Sequence, residues 1–271
     1  MYNILFFGVL IAYFASAFSF VITLVNEGAG IRKAAIFLSI FGFITHSVIL
    51  IMRAVMSAFP PMSNLYESLS LFSWAIVLVF LIVSYKFRIN LLGIFIMLIS
   101  SLVLLYASTL DSVIRPLLPA LKSYWLSIHV ATCFLSYACF ACAFSLGVMY
   151  LIQERQVKAK KIGKLLSRLP SLDIMDKINH KTILIGFVLL TMGIVTGSVW
   201  AQTAWGNWWS WDPKETWSLI TWLIYAAYLH ARLNSGWRGK RTAVLSIIGF
   251  ICVLFTYLGV GLLMSGLHSY L

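Results

Sequence analysis

About eight apolar stretches alternate with polar segments along the chain, and this pattern restricts the fold more than any other feature. A helix needs about 20 apolar residues to cross the hydrocarbon core of a bilayer, and each stretch is near or above the required length. Because backbone polar groups in lipid must be satisfied within the segment, the stretches are predicted to be helices. They lie at roughly 2–25, 35–57, 69–85, 89–107, 124–152, 182–200, 217–233 and 242–264.

The composition agrees with a protein embedded in a membrane. Hydrophobic residues make up 61% of the chain and charged residues 10%, whereas soluble domains average about 25% charged residues. The longest polar insert, at about 153–181, is too short to be a soluble domain. The sequence therefore predicts an all-α polytopic membrane helix bundle with about eight transmembrane helices, and residues 1–271 are expected to form a single domain.

The basic residues are concentrated in alternate loops. Lys and Arg number 20 and the formal net charge is +12; charge confined to loops indicates membrane orientation and not a nucleic-acid partner. The positive-inside rule places the basic insert in the cytoplasm and both termini outside. The stretch KAKKIGKLLSRL within the insert is predicted to lie on the anionic inner leaflet. The outer side receives only a few basic residues, namely Arg53, Arg115, Lys122 and Lys214.

The stretch WGNWWSWDPKETW, residues 205–217, contains five tryptophans. Asp212 is a suitable N-cap, Pro213 fits the first helical position, and Glu215 completes a capping box. We therefore predict an external loop at about 201–216, on the same side as the termini, followed by a rigid helix that begins at Pro213. The tryptophans are Trp205, Trp208, Trp209, Trp211 and Trp217.

This tryptophan loop has two interpretations. An aromatic belt at the membrane interface explains one or two tryptophans, but a belt is distributed around the whole bundle. A flat aromatic platform for a large planar apolar ligand explains four tryptophans within seven residues, because indole rings offer stacking and edge contacts. The platform is the interpretation that we favour.

Two histidines are predicted to share a side and a depth with the tryptophan loop. His129 lies near the start of the fifth apolar stretch and His268 follows the eighth. An ionisable side chain at a membrane span is a candidate functional residue. Two neutral imidazoles that flank a flat ring form the bis-histidine site of a haem iron. We therefore interpret His129 and His268 as a pair of iron ligands.

The other histidines are predicted to lie elsewhere. His230 is at the far end of the seventh stretch, about 20 Å deeper than Trp217. His46 lies in the middle of the second stretch with Arg53 two turns outward on the same face. One interpretation makes His46 a cofactor contact, with Arg53 meeting a carboxylate such as a haem propionate. The alternative is that His46 is hydrogen-bonded within the bundle. His180 lies in the basic insert and is expected to be solvated.

The stretch WGNWWSWDPKETWSLITWLIYAAYLHAR closely resembles the WWD motif of the cytochrome c assembly family, and YLHAR is most similar to its CcsA (ResC-type) branch of the system II pathway. The segment PPMSNLYESL fits the same family. The resemblance implies a protein that handles haem b and binds its iron. His129 and His268 match the external axial ligands, and His230 matches an inner haem site whose second ligand comes from a partner. The haem-presenting loop matches Trp205, Trp208, Trp209, Trp211 and Asp212.

The resemblance further implies a function in cytochrome c biogenesis. With a CcsB (ResB-type) membrane partner, the protein is expected to transport haem and present it for thioether attachment to the CxxCH segment of apocytochrome c, as a component of a holocytochrome c synthase (haem lyase). The membrane is expected to be a bacterial plasma membrane or a thylakoid membrane, with the loop on the periplasmic (extracytoplasmic) or lumenal side. Two alternatives stay open: a haem-binding electron-transfer subunit, and a haem-binding regulator that does not attach haem.

Overall fold

The structure is a computed structural model that describes residues 2–26, 28–114, 117, 119–160, 169–264 and 266, with only the backbone described for Ala120. Helices account for most of these residues and no strand occurs among them, so the predicted all-α fold is confirmed. A π-helical segment (Phe255–Gly259) joins the last two helices. The helices are α1 (Tyr2–Ile22), α2 (Ala29–Ser57), α3 (Leu65–Phe87), α4 (Leu92–Ala107), α5 (Tyr124–Lys158), α6 (Leu172–Trp205), α7 (Pro213–Asn234), α8 (Lys240–Leu254) and α9 (Val260–Leu263).

The helices correspond to the predicted apolar stretches. Within the described ranges, 6 helices are long and apolar enough to cross a membrane: α1, α2, α3, α5, α6 and the continuous helix Lys240–Leu263. The helix α4 is apolar but shorter, with 16 residues, and α7 carries the remaining stretch. The prediction of a polytopic membrane helix bundle is therefore confirmed. The placement of both termini outside stays a prediction.

Two helices extend into the predicted basic insert. The helix α5 continues to Lys158. The helix α6 begins at Leu172, because Ser171 acts as its N-cap and accepts a hydrogen bond from the backbone N of Ile174 at 3.4 Å. The predicted surface helix in the insert falls mostly on residues 161–168, which lie outside the described residues.

The chain divides into two compact units, and the first comprises Met1–Pro116 with Arg155–Pro170. In it, α1 packs against α2 and α4, and α3 packs against α4. The hydroxyls of Ser16 and Ser39 lie 2.7 Å apart between α1 and α2. A Cβ at Gly42 would lie 2.7 Å from the ring of Tyr13, so only glycine permits this close approach. Small residues thus bring α1 and α2 together, as in other membrane helix pairs.

The second unit comprises Leu117–Glu154 with Ser171–Leu271. In this unit, the side chains of α5 between Cys133 and Gly147 are mostly buried. The hydroxyl of Ser136 donates to the carbonyl oxygen of Gly186 in α6 at 2.7 Å. The ring of Phe140 stacks on Tyr225 of α7, with centroids 3.6 Å apart. The α5 helix therefore holds α6 and α7 in place, and this unit carries the tryptophan loop.

A buried ion pair connects α6 to α7 in the second unit. Both terminal guanidinium nitrogens of Arg232 donate to the carboxylate of Asp176, at 3.0 and 2.7 Å. The same carboxylate accepts hydrogen bonds from the backbone N of Gly239 and the hydroxyl of Thr242, both at 3.0 Å. Arg232 lies in the last turn of α7 and is a packing residue in the fold. The pair fixes the end of α7 relative to α6 and α8.

Candidate functional site

The tryptophan loop is held at both ends by helix caps. Gly206 ends α6 with φ of 80°, a left-handed conformation that favours glycine. Asp212 is the N-cap of α7, and its carboxylate accepts a hydrogen bond from the backbone N of Lys214 at 3.1 Å. Glu215 Oε2 accepts from the backbone N of Asp212 at 3.2 Å. The predicted capping box and the predicted helix start at Pro213 are therefore confirmed.

Hydrogen bonds within the loop also fix its backbone. Glu215 accepts a second backbone hydrogen bond, from Ser210 N at 2.8 Å. Trp211 has φ of 58°, a left-handed conformation that is uncommon for a residue with a large side chain. Such a backbone persists only where the surroundings hold it, here the network of Glu215 on one side and the cap at Asp212 on the other. The loop therefore presents its side chains from a fixed backbone.

The tryptophans do not form one flat surface, contrary to the platform interpretation. The rings of Trp209 and Trp211 meet edge to face, with centroids 5.8 Å apart and planes at 90°. Trp205 lies in the last turn of α6 and not in the loop predicted at about 201–216. Trp208 and Trp211 are exposed, at 58% and 68%. A planar ligand at this loop would meet a mixture of indole faces and edges.

His129 is oriented by the backbone of α6. Its Nδ1 lies 2.7 Å from the carbonyl oxygen of Gly193. A carbonyl oxygen only accepts, so Nδ1 carries the hydrogen and Nε2 of the neutral ring keeps its lone pair. Metal-binding histidines are commonly oriented by such a hydrogen bond from the second ring nitrogen. Cys133 Sγ lies 3.7 Å from the same Nδ1, one helical turn along α5. His129 is thus arranged as a ligand through Nε2.

A tryptophan outside the predicted site connects His129 to the loop. Trp200 is buried, and its ring lies nearly parallel to the imidazole of His129, with centroids 6.2 Å apart. Trp200 also meets Trp205 at 4.8 Å. A Cβ at Gly197 would lie 2.6 Å from His129 Nδ1, so the imidazole occupies the space above this glycine. The spacing of Gly193 and Gly197 is typical of a helix face that packs closely against a neighbour. This spacing was the sequence signal that could have indicated the contact between His129 and α6.

His268 lies outside the described residues, as do the other residues after Met264 except Gly266. Gly266 contacts the carboxylate of Asp212, because a Cβ on this glycine would overlap Asp212 Oδ1. The chain two residues before His268 therefore lies against the cap that ends the tryptophan loop. The assignment of His268 as an iron ligand stays a prediction.

His230 is exposed near the other end of α7. It lies about 26 Å along the helix axis from Pro213, at 1.5 Å per residue. The amide Nδ2 of Asn234 lies 3.2 Å from His230 Nδ1. His129 is connected through Trp200 and Trp205 to the loop that precedes α7, so the two histidines do not share a site. The role of His230 in an inner site stays a prediction.

His46 lies in the first unit, and both of its ring nitrogens are in hydrogen bonds. The ring is fully buried. Its Nε2 is 2.9 Å from the hydroxyl of Ser70, and its Nδ1 is 3.2 Å from the hydroxyl of Tyr13. This arrangement is the alternative that the sequence left open, a histidine hydrogen-bonded within the bundle. We therefore leave His46 out of the candidate haem site.

The carboxylate that meets Arg53 belongs to the chain itself. Arg53 Nε donates to Glu67 Oε1 at 2.6 Å, and both side chains are buried. Glu67 also accepts hydrogen bonds from the backbone N and the hydroxyl of Ser63. The guanidinium lies over the ring of Tyr66, 4.9 Å from the centroid. Arg53 thus has an internal counter-ion and is not arranged to receive a propionate.

His180 is not simply solvated, so that expectation was wrong. It is half-buried in α6, and its ring lies against Tyr228 with centroids 6.3 Å apart. Its Nδ1 is buried and makes no hydrogen bond to any described residue. The position of the α6 start explains the difference, because the segment that carries His180 is helix and not loop.

Lys214 is the one basic residue in the tryptophan stretch, and the sequence pattern assigns it no role. It lies in the first turn of α7, before the apolar stretch predicted at 217–233. Burial lowers the pKa of Lys214 below its usual value, while the charge of Asp212 acts in the opposite direction. Lys214 follows the tryptophan loop directly, and His129 is connected to the start of the same loop through Trp200 and Trp205. Both residues therefore border the tryptophan loop.

The chain is similar to proteins of one family over most of its length. Residues 62–268 match a family described as cytochrome C assembly protein. Three relatives carry the name cytochrome c biogenesis protein CcsA. That from Guillardia theta is 40% identical over 252 residues (86% of this chain, 83% of the relative). That from Porphyra purpurea is 37% identical over 281 residues (89% and 88%). That from Mesostigma viride is 41% identical over 234 residues (78% and 77%).

A solved structure shares the fold. The protein named cytochrome c heme lyase CcmF superposes with a TM-score of 0.67 at 15% sequence identity. The match covers 94% of this chain and 46% of that protein, so this chain spans less than half of its length. At this identity the likeness shows a common fold alone.

Proposed function

This chain belongs to the cytochrome c assembly protein family, and on that basis we propose that it presents haem on the outer face of a membrane for covalent attachment to apocytochrome c. Family membership and the long apolar helices make it an integral membrane protein of cytochrome c biogenesis. Haem is here a substrate that is held and handed over. The proposal that this chain binds and presents haem rests on the arrangement around His129.

The observation that carries the proposal is the hydrogen bond between His129 Nδ1 and the carbonyl oxygen of Gly193. It fixes the ring tautomer and leaves a lone pair on Nε2, as a haem ligand requires. His268 is proposed as the second axial ligand. Gly266, two residues earlier in the sequence, lies against Asp212 at the end of the loop, which supports this pairing.

The loop contributes apolar contact area for a porphyrin ring. Trp208 and Trp211 are exposed on a backbone that is fixed by the capping box. Exposed indoles are otherwise costly in water, and aromatic faces and edges both bind flat ring systems. We propose that these two tryptophans, with Trp209 between them, hold the macrocycle beside His129. Trp205 and Asp212 hold the loop in place behind them.

The proposed reaction is addition of two thiols to two vinyl groups. Each cysteine of the CxxCH segment forms one C–S bond, and its hydrogen goes to the other vinyl carbon, so the addition consumes no oxidant. Haem supplies the reactive vinyl groups and the iron. The protein would orient haem, and its two axial imidazoles would exclude water and oxygen ligands from the iron, which should favour the ferrous state. The histidine of CxxCH then replaces one external imidazole and releases the product.

His230 is proposed to bind haem in a second site before presentation. It is exposed on α7, so a ligand from another chain has access to it. A CcsB/ResB-type membrane protein is the proposed source of the second ligand. In this arrangement, haem b would pass from the cytoplasmic side of a plasma or thylakoid membrane towards the loop.

Absorption spectroscopy tests the proposal directly. The full chain would be purified with its membrane partner, and haem spectra compared for wild type, His129→Ala and His268→Ala. We expect both variants to lose most of the absorption of the outer haem that depends on its two axial histidines. His180→Ala, in the same unit but away from the loop, is the control. An unchanged spectrum in both site variants would contradict the proposal. Redox cycling with quinol and no thioether product would instead favour an electron-transfer subunit.

A further inference from the structure

Lys214 is a half-buried cation beside the proposed haem site, and its charge is incompletely balanced. Within the described part of the chain, its ammonium makes no hydrogen bond and no ion pair. Asp212 acts on it at longer range, but the carboxylate of Asp212 is used for the helix cap and contacts Gly266. An ammonium removed from water without a direct partner is costly, because burial disfavours the charged form.

The position of Lys214 is as well fixed as that of the loop. Its backbone N donates to Asp212 Oδ2, and the next residue, Glu215, closes the capping box. The side chain therefore leaves a rigid helix start, three residues after Trp211. His129 is connected to the other end of the same loop through Trp200 and Trp205, so the cation and the proposed iron ligand both border the loop proposed to hold the porphyrin.

The other buried cations show a different arrangement. In the first unit, Arg53 is paired with Glu67 at 2.6 Å. In the second unit, Arg232 is paired with Asp176 at 2.7 Å. Lys214 has no such carboxylate within ion-pair distance among the described residues, although it is also partly buried. The missing counter-charge is what a bound anion would supply.

We propose that Lys214 binds a propionate carboxylate of the haem held beside His129, and this inference rests on the proposed function. A porphyrin that carries two carboxylates has an apolar body for the indoles and an anionic edge for the ammonium. A charge-assisted hydrogen bond to a carboxylate is stronger than a neutral one, and it would fix the rotation of the ring about the iron–imidazole axis. Lys214 would thus select the orientation in which the vinyl groups are presented.

The test compares haem with its dimethyl ester, which keeps the iron and the vinyl groups but lacks both carboxylate charges. Each would be titrated into the full-length protein in detergent, and the Kd followed by the Soret absorption. For Lys214→Gln we expect about tenfold weaker binding of haem, equivalent to ~1.4 kcal/mol, and unchanged binding of the ester. Lys214→Arg is expected to keep most of the affinity for haem.

Lys122→Gln is the matched control, because it removes one exposed cation that lies before α5 in the chain, and it is expected to change neither Kd. Equal loss of haem and ester in Lys214→Gln would show a packing role and overturn the proposal. No loss of either ligand would overturn it as well. His129→Ala separates this proposal from the proposed function: if His129→Ala binds haem as wild type does, the haem site itself is wrong.

Discussion

The imidazole of His129 in α5 is bonded through Nδ1 to the backbone carbonyl of Gly193 in α6, at 2.7 Å, directly above Gly197. A substitution at Gly193 would leave its main-chain carbonyl in place, so the acceptor itself cannot be removed by mutation. The orientation of His129 therefore depends on how closely α5 and α6 approach. This dependence leads to the first prediction.

Gly197→Ala should weaken haem binding without removing a ligand. The added Cβ would lie 2.6 Å from His129 Nδ1, so the ring must move and its hydrogen bond to α6 must lengthen. We expect at least a roughly tenfold increase in the Kd for haem, measured by Soret titration, as for loss of an orienting hydrogen bond at a metal ligand. Gly8→Ala is the control, since a Cβ there meets nothing within 4 Å. Wild-type affinity in Gly197→Ala would show that His129 is not a ligand in this orientation.

Exposed and buried tryptophans should separate binding from stability. Trp208→Ala and Trp211→Ala remove exposed rings, so we expect weaker haem binding and a change in unfolding free energy below about 1 kcal/mol. Trp200→Ala removes a buried ring and should cost roughly 3–5 kcal/mol. Soret titration and thermal unfolding in detergent measure the two effects. A strong loss of stability in Trp211→Ala would indicate a structural role for that ring.

The cap at Asp212 should tolerate asparagine but not alanine. Asp212→Ala removes the side-chain acceptor of α7 and is expected to destabilise the protein by about 1 kcal/mol. Asp212→Asn keeps an acceptor oxygen and should retain most of that stability, because asparagine is an equally good N-cap. The midpoint of thermal unfolding distinguishes them. Equal losses would mean that the charge of Asp212, and not its cap, is what stabilises the loop.

The ion pair between Asp176 and Arg232 should matter far more than an exposed one on the same helix. Asp176→Ala leaves a buried guanidinium unpaired and is expected to cost roughly 3–5 kcal/mol. Asp173→Ala breaks a pair with Lys177 whose side chains are 65% and 63% exposed, and should cost less than about 0.5 kcal/mol. Chemical unfolding in detergent gives both values. Similar small losses would argue that the pair is open in the membrane protein.

His46→Leu tests whether the buried histidine is structural. The substitution replaces the imidazole with an apolar side chain of similar size and leaves the hydroxyls of Tyr13 and Ser70 without their partner. We expect a loss of roughly 1–3 kcal/mol in unfolding free energy. The Kd for haem at the loop should stay unchanged. A specific loss of haem with wild-type stability would restore His46 as a cofactor residue.

The features that the sequence predicted are local or periodic. Apolar stretches of spanning length became helices, because in lipid only a helix satisfies its own backbone. The capping box of Asp212 and Glu215 was predictable, since its partners are three residues apart and its chemistry needs no tertiary contact. Family membership followed from the tryptophan stretch, which was specific enough to carry it.

Contacts between residues far apart in the chain were decided only by the tertiary structure. The bond of His129 to Gly193 spans 64 positions, and that of Arg53 to Glu67 depends on how α2 meets α3. No spacing rule predicts such pairs, because packing selects among many possible partners for each polar side chain. A buried histidine has the same sequence signal whether it binds a metal or a hydroxyl. The hydrogen bonds of His46 and the lone pair left on Nε2 of His129 are therefore properties of the folded chain alone.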